Sequence, residues 1–466
     1  MATARVIGAG PNGLAAAIVL ARAGVRVTVY EAMERVGGAC GTEELTLPGF
    51  RHDVGAAVFP MGLASPFLRT LPLEQHGVRW VQPAAPLAHP LDDGTAVMLE
   101  RGVFETADGL GEDGAAYRRM MEPLVSGWSG LVGEILQPLL HVPRHPLALA
   151  RFGAMGLLPA TALAKMSFKG ERARALFAGN AAHSVMPLTK ASTAAVGLTL
   201  HGAAHGEGWP VVEGGSQALV EAMASILRGL GGEIRLGVRV ERLGDLEPAD
   251  RTLCDVTPRQ FLRMTDVPVG MRRRLEGWRY GPGAFKIDYA LSEPIPWRAK
   301  ECRRAATVHL GGSFEEIVAS EEAAWTGRMD GPPFCLLVQP SLFDPTRAPA
   351  GKHTAWVYCH VPNGSGLDWS RQIEAQIERF APGFRECVLA RRTQTTTQME
   401  AWNPNLVGGD VSGGAMSLGQ IAFRPTARTY GTGVKGTYLC SASTPPGGGV
   451  HGMCGYWAAM RALETL

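Results

Sequence analysis

The chain has 466 residues, 46% hydrophobic and 19% charged, with a formal net charge of +2. The length predicts two or three structural units at about 150 residues each. The near-neutral balance, with no long Lys/Arg run, excludes a nucleic-acid partner, and no uninterrupted apolar stretch reaches the roughly 18 residues of a spanning helix. The 59 glycines point to tight turns and close backbone approaches to a ligand.

The first predicted strand begins near Ala4, which leaves no room for a signal or transit peptide. The expected location is therefore the cytoplasm. That strand, Ala4 to Ile7, runs into Gly8-Ala9-Gly10-Pro11-Asn12-Gly13, and an Ala-rich helix follows to Arg22 and stops at Gly24. A second strand, Val25 to Tyr30, ends at Glu31. This is a βαβ dinucleotide fingerprint with its strand, helix and acid in place. Gly8 permits the tight turn, Gly10 lets the backbone approach a pyrophosphate, and Gly13 lets the helix pack on the strand. The helix N-terminus favours the pyrophosphate anion, and Glu31, about 20 residues on, is placed to accept from ribose hydroxyls.

The chain continues Ala32-Met33-Glu34-Arg35-Val36-Gly37-Gly38-Ala39-Cys40-Gly41-Thr42. The second glycine pair lets a loop wrap the pyrophosphate and ribityl of a longer cofactor, which favours FAD over NAD. His52-Asp53 reads as an anchor for that loop. Residues 135–166 are dense in leucine but broken by Pro138, Pro143, Pro146 and Pro159. They cannot span a membrane. Two readings stay open, helical core or tunnel wall and a patch resting on a membrane surface.

Gly214-Gly215-Ser216 precedes an amphipathic helix with Leu219, Met223, Ile226 and Leu230 on one side. Strands are predicted at Glu233 to Leu236, Val238 to Leu243 and Thr252 to Thr257. Gly431-Thr432-Gly433-Val434-Lys435-Gly436 repeats the glycine spacing, but a strand follows where a helix should be, so it is a decoy. No NAD(P)H site is read elsewhere, and electrons are expected to enter from the substrate. Ser441 to His451 then joins a strand to the C-terminal helix through Gly447-Gly448-Gly449. Aimed at a flavin pyrimidine edge, this helix start would stabilise charge on the reduced ring.

Taken together, four segments resemble the phytoene desaturase-related FAD oxidoreductases of the flavin amine-oxidase superfamily. They are the opening fingerprint; Gly37 to Thr42 with Pro48-Gly49-Phe50-Arg51-His52-Asp53; Gly208-Trp209-Pro210 with Gly214-Gly215-Ser216; and the stretch from Asn403 to Gly455. The resemblance implies an α/β chain with a Rossmann-like FAD-binding domain interleaved with an α+β substrate domain. The former would comprise 1–75, 205–265 and 405–466, and the latter 76–204 and 266–404. It also implies that Glu31 binds ribose, that Arg35, Gly38 and Ala39 line the diphosphate and ribityl, and that Val240 meets adenine through its backbone. Ser443, Gly449, Val450 and Met453 would contact pyrophosphate or isoalloxazine. Ala9, Pro11, Asn12 and Ala32 belong to the same cofactor-facing turns. Ser441-Ala442 departs from the residues relatives carry after the last strand.

The expected reaction is hydride transfer from an apolar, isoprenoid-like substrate to FAD. The polar residues to inspect for catalysis are His183, His201, His205 and Arg424; Arg424 could hold a substrate group or pair with Asp410. His201 and His205 lie four apart, but no acid completes a metal site. The eight cysteines include no Cys-x-x-Cys pair, so zinc and a redox dithiol are not expected. The sequence leaves the electron acceptor and the oligomeric state open. Rival readings are an amine or amino-acid oxidase, a redox-neutral flavin isomerase, and a flavin-holding interaction protein.

Overall fold

The computed structural model describes residues 1–466 apart from 427. The opening strand is Thr3–Ile7, the helix Pro11–Arg22 and the second strand Arg26–Tyr30. Proline at the first helical turn costs nothing there, because its missing N–H would be unpaired anyway. The helix is buried on nearly every side, from Asn12 to Leu20. Its small Ala15-Ala16-Ala17 run suits a position between a sheet and the last helix, Met453–Leu463. The approach is close enough that a Cβ on Gly455 would stand 1.8 Å from the Asn12 carbonyl oxygen.

Five parallel strands form the first sheet, in the order Thr437–Leu439, Arg251–Cys254, Thr3–Ile7, Arg26–Tyr30, Glu233–Arg235. They come from three separated segments of the chain. Parallel strands need crossovers, and here the crossovers are long enough to contain the rest of the protein. Val238 to Leu243, predicted as a strand, is not one. Glu233–Arg235 is the sheet edge, and Gly237 (φ +67°) turns the chain out of it. The Val238 N–H still donates to the Glu31 carbonyl at 2.8 Å, which carries Val240 over the end of the sheet.

The second sheet has seven strands, in the order Val388–Gln394, Gly283–Leu291, His353–Val361, Cys335–Val338, Ala305–Leu310, Ala85–Pro90, Ala96–Leu99. Its pairings are antiparallel except between Ala305–Leu310 and Ala85–Pro90. Every residue of Gly283–Leu291 is buried, as expected of a central strand covered on both faces. The fold is thus α/β, a parallel sheet beside a mixed sheet with helices. The predicted amphipathic helix is Gln217–Gly229, with Leu219, Met223 and Ile226 buried, but Leu230 lies beyond it and is exposed.

Residues 135–166 divide between the two readings. Leu136 and Phe152 are buried, whereas Leu139, Leu140, Val142, Leu147 and Leu157 are exposed. Among the described residues no single helix is long and apolar enough to cross a membrane; the helices Pro146–Gly156 and Ala160–Ser167 are bent by 97° at their junction.

Candidate functional site

A cavity of about 490 Å³ runs from the glycine fingerprint to the mixed sheet. Its dinucleotide end is built from backbone. Gly10 caps the first helix, and a Cβ on Gly38 (φ +55°) would lie 3.2 Å from the Gly10 Cα. Two glycines facing each other leave room for a phosphate that side chains would fill. Beside them the Glu31 carboxylate, nearly buried, accepts from the Ala9 N–H at 2.7 Å and the Met33 N–H at 2.9 Å. Asn12 lines the cavity, and its Oδ1 is buried without a partner, an atom a bound group would be expected to satisfy.

The residues foreseen for the cofactor are mostly gathered here. Gly8, Gly10, Pro11, Asn12, Glu31, Ala32, Gly38, Ala39, Val240, Ser443, Gly449 and Val450 line one cavity, although Gly8 and Val450 are 442 positions apart by their numbers. Four others stand behind it. Ala9 holds Glu31 through its amide. Gly13 packs on Gly8, where a Cβ would meet the Gly8 carbonyl oxygen at 2.0 Å. The Arg35 guanidinium turns away to Gln217, at 2.7 Å, and to Glu43. Met453 is buried, and its N–H donates to His451 Nδ1 at 3.0 Å. Its role is thus to begin the helix below Gly449-Val450. The repeated motif at Gly431 to Gly436 lies outside the cavity, as a turn in which Thr432 Oγ1 donates to the Thr437 carbonyl at 2.8 Å before the edge strand.

The four catalytic candidates separate by position. His183 alone reaches the cavity. Its Nε2 sits 3.1 Å from His309 Nε2, which leaves Nδ1 as its uncommitted nitrogen. Burial, with the charge of His360 adding, pushes the His183 ring down to about 3, so it stands neutral. His205 is pinned by the Tyr117 hydroxyl at 2.6 Å and the Arg101 carbonyl at 3.1 Å. His201 bonds the Gly197 carbonyl one turn back, at 2.9 Å, and packs on Phe177 and Tyr117. Both are core residues of the helix Thr193–Gly206. Arg424 donates to the Ala442 carbonyl through Nε and Nη2 and to the Ser412 carbonyl at 2.8 Å. It clamps the loop that carries Ser443 rather than facing the cavity, and Asp410 is taken by the Gly281 and Ser412 amides.

Sequence reasoning missed two residues. Asp255 lines the dinucleotide end, directly after the strand Arg251–Cys254, and its Oδ2 accepts from the Gly13 N–H at 2.8 Å. Lys286 lines the opposite end, in the middle of a buried strand, and donates to both carboxylate oxygens of Asp288. Burial pushes the Lys286 ammonium down and the Asp288 carboxyl up, each opposed by the other's charge. Lys286 also lies 5.5 Å from the centroid of the Trp356 ring. The available signal was two charges at alternate positions in Ala-Phe-Lys-Ile-Asp-Tyr-Ala-Leu, since a charge inside an apolar strand is rarely there for packing. Beside Asp288, His52 Nδ1 lies 3.7 Å from its carboxylate, and Asp53 takes the Thr42 hydroxyl, the Ser216 amide and Arg347. His52-Asp53 thus ties the glycine loop to the second sheet. Among the described residues no cluster suits a metal ion.

A split nucleotide-binding sheet that gathers both chain ends around a glycine cradle, with an acid beside the cradle, defines a flavin-holding oxidoreductase. Residues 12–267 match the family model described as flavin containing amine oxidoreductase, and the chain belongs to that family. It is 28% identical to mouse pyridine nucleotide-disulfide oxidoreductase domain-containing protein 2, over 99% of this chain and 93% of that protein. It is 27% identical to a phytoene dehydrogenase of Streptomyces griseus, over 96% and 91%. Among solved structures, an oxidoreductase from Methanosarcina mazei matches with TM-score 0.67, covering 99% of this chain and 100% of that one at 16% identity. A putrescine oxidase bound to putrescine matches with TM-score 0.63, covering 100% and 98% at 18% identity. The cofactor is FAD, and the chain is a phytoene desaturase-related FAD oxidoreductase.

Proposed function

We infer that the protein is a desaturase, drawing a hydride from an apolar substrate without NAD(P)H. The observation that carries this reading is the lining of the cavity away from the dinucleotide end. Ala56, Ala57, Val58, Leu336, Val338, Trp356 and Met399 make it apolar, and its cation is Lys286. The carboxylates in the described lining, Glu31 and Asp255, belong to the opposite end. Lys286 is already neutralised by Asp288 behind the wall, and no carboxylate of the described lining at this end is left for a protonated amine, which favours a hydrocarbon-like substrate over an amine.

FAD, when bound, supplies the hydride acceptor. The chain supplies the rest. The glycine cradle and Glu31 hold the dinucleotide, and the apolar walls orient the substrate and exclude water. Loss of hydride from an allylic carbon makes the adjacent C–H strongly acidic, so a weak base suffices, and His183 Nδ1 is the neutral nitrogen available to take that proton. Geometry ranks before basicity in choosing such a base.

Anaerobic mixing of the FAD-loaded protein with isoprenoid polyenes, primary amines and NADPH tests the reading. Bleaching by a polyene alone is the expected result. Bleaching by an amine would make the protein an amine oxidase, and rapid bleaching by NADPH would remove the substrate as electron source.

A further inference from the structure

The loop 137–145 and the helix Pro146–Gly156 form a surface that the flavin site does not use, since none of these residues is among those lining the cavity. The loop projects large apolar side chains into solvent. Leu140 is 85% exposed, Val142 90% and Leu147, at the start of the helix, 86%. Such side chains normally retreat from water, and here a buried carboxylate prevents it. Glu134 accepts from the Arg144 and His145 amides, both at 2.8 Å, and contacts His141 Nε2 at 2.6 Å. Burial alone would raise that carboxyl, but His141 and the two amides outweigh it and hold it below the ordinary glutamate range. The Leu136 carbonyl is fixed in turn by Trp457 Nε1 at 3.0 Å. The protrusion is therefore braced at its base while its tip is greasy.

The helix continues the same face. Leu147, Arg151, Ala154 and Leu157 are exposed at helical spacing, while Phe152 and Gly156 pack inward. The next helix turns away by 97° and buries Ala160, Leu163 and Ala164 in the protein. Charge follows the same pattern. From 135 to 170 the chain carries Arg144, Arg151, Lys165 and Lys169 and no Asp or Glu. Arg144 and Arg151, exposed beside the exposed leucines, make this face complementary to anionic headgroups above an acyl boundary.

We propose that loop 137–145 and the outer face of Pro146–Gly156 are an interfacial anchor for an anionic lipid membrane, inserting Leu139, Leu140, Val142 and Leu147 with Arg144 and Arg151 at the phosphates. Such an anchor would let an apolar substrate pass between bilayer and enzyme without crossing water. It rests on the surface alone and stands whichever substrate the flavin oxidises.

Flotation of the FAD-loaded full chain with vesicles tests it. The protein is expected to float with equimolar phosphatidylcholine and phosphatidylglycerol, and less with phosphatidylcholine alone. L140D/V142D should weaken binding by at least about a hundredfold, since each buried methylene contributes to the anchor. R144Q/R151Q should weaken binding to the anionic vesicles by roughly twenty-five-fold, at about fivefold per cation, and leave the phosphatidylcholine value unchanged. All four side chains are exposed, so both variants should keep the parent's flavin absorbance and melting temperature. Failure of the parent to float, or flotation of L140D/V142D equal to the parent, would overturn the proposal. So would a parent that sediments as a dimer which L140D/V142D dissociates, because a second copy would then cover the face.

Discussion

The Gly13 amide donates to Asp255 Oδ2 at 2.8 Å across a sequence separation of 242 residues. The contact places a carboxyl group among the glycines of the fingerprint turn. Burial lifts that carboxyl, the Gly13 amide opposes the lift and the Glu31 charge adds to it, leaving it at about 7.

The sign of the pH dependence follows. Between the ordinary aspartate value and about 7, the folded chain keeps a proton that the unfolded chain has released. Stability of the FAD-free protein should therefore fall as pH rises through that window and level off above it. The negative phosphates should favour the protonated form further, so FAD should bind about tenfold more weakly near pH 8 than near pH 6. Asp255→Asn keeps the acceptor for Gly13 and should flatten both profiles. Flavin fluorescence titration at several pH values measures this, and an unchanged slope in the variant would remove Asp255 as its source.

Gly13 cannot carry a side chain. A methyl there would lie 2.0 Å from the Gly8 carbonyl oxygen, and that backbone atom belongs to the turn of the fingerprint. Gly13→Ala should purify with little flavin and a lowered melting temperature, by about 3 kcal/mol or more of stability on the scale of overpacked sites. The ratio of flavin to protein absorbance reads the first effect and thermal unfolding the second.

Lys286 and Asp288 should behave as a unit. Removing the ammonium in Lys286→Met leaves a buried carboxylate uncompensated, with an expected cost of about 3–5 kcal/mol. Lys286→Met with Asp288→Leu should recover much of that, because a buried ion pair is replaced by apolar volume. Denaturant melts of the singles and the double variant form the cycle. Additive losses would show that the pair is not coupled.

His183 and His205 should fail differently. His183→Ala opens the cavity side of the His183–His309 contact and should slow anaerobic flavin reduction by about a hundredfold with FAD still bound, the lower range for loss of a proton acceptor. His205→Ala breaks the Tyr117 and Arg101 contacts and should lower the melting temperature with the reduction rate of the surviving protein intact. Stopped-flow reduction beside thermal melts separates the two. A His183 variant that reduces at the parent rate would end its candidacy.

Much of the cofactor end could be read along the chain, because it depends on local geometry. A strand, three glycines at fixed offsets and an acid about 20 residues on must form a phosphate-receiving turn if they form a strand and helix at all. The triple glycine before Val450 carried the same kind of signal. Val238 to Leu243 was misread because its apolar alternation resembles a strand, while pairing depends on whether a neighbour is present, and the sheet has ended there.

Sequence by itself therefore determined the class of this protein, its cofactor and the two ends of the chain that meet at one cavity. Tertiary structure decided which polar groups face the cavity. His183, His201 and His205 are alike in sequence, and only packing turns one toward the cavity and seals the others against Tyr117 and Phe177. Asp255 gains its setting from a neighbour 242 residues away, and Lys286 from Asp288 in its own strand and Trp356 on the next. The leucine-rich segment 135–166 likewise could be core or surface by composition. A single buried carboxylate, Glu134, holds its loop outward, and the energy of that contact lies between residues whose distance the sequence does not state.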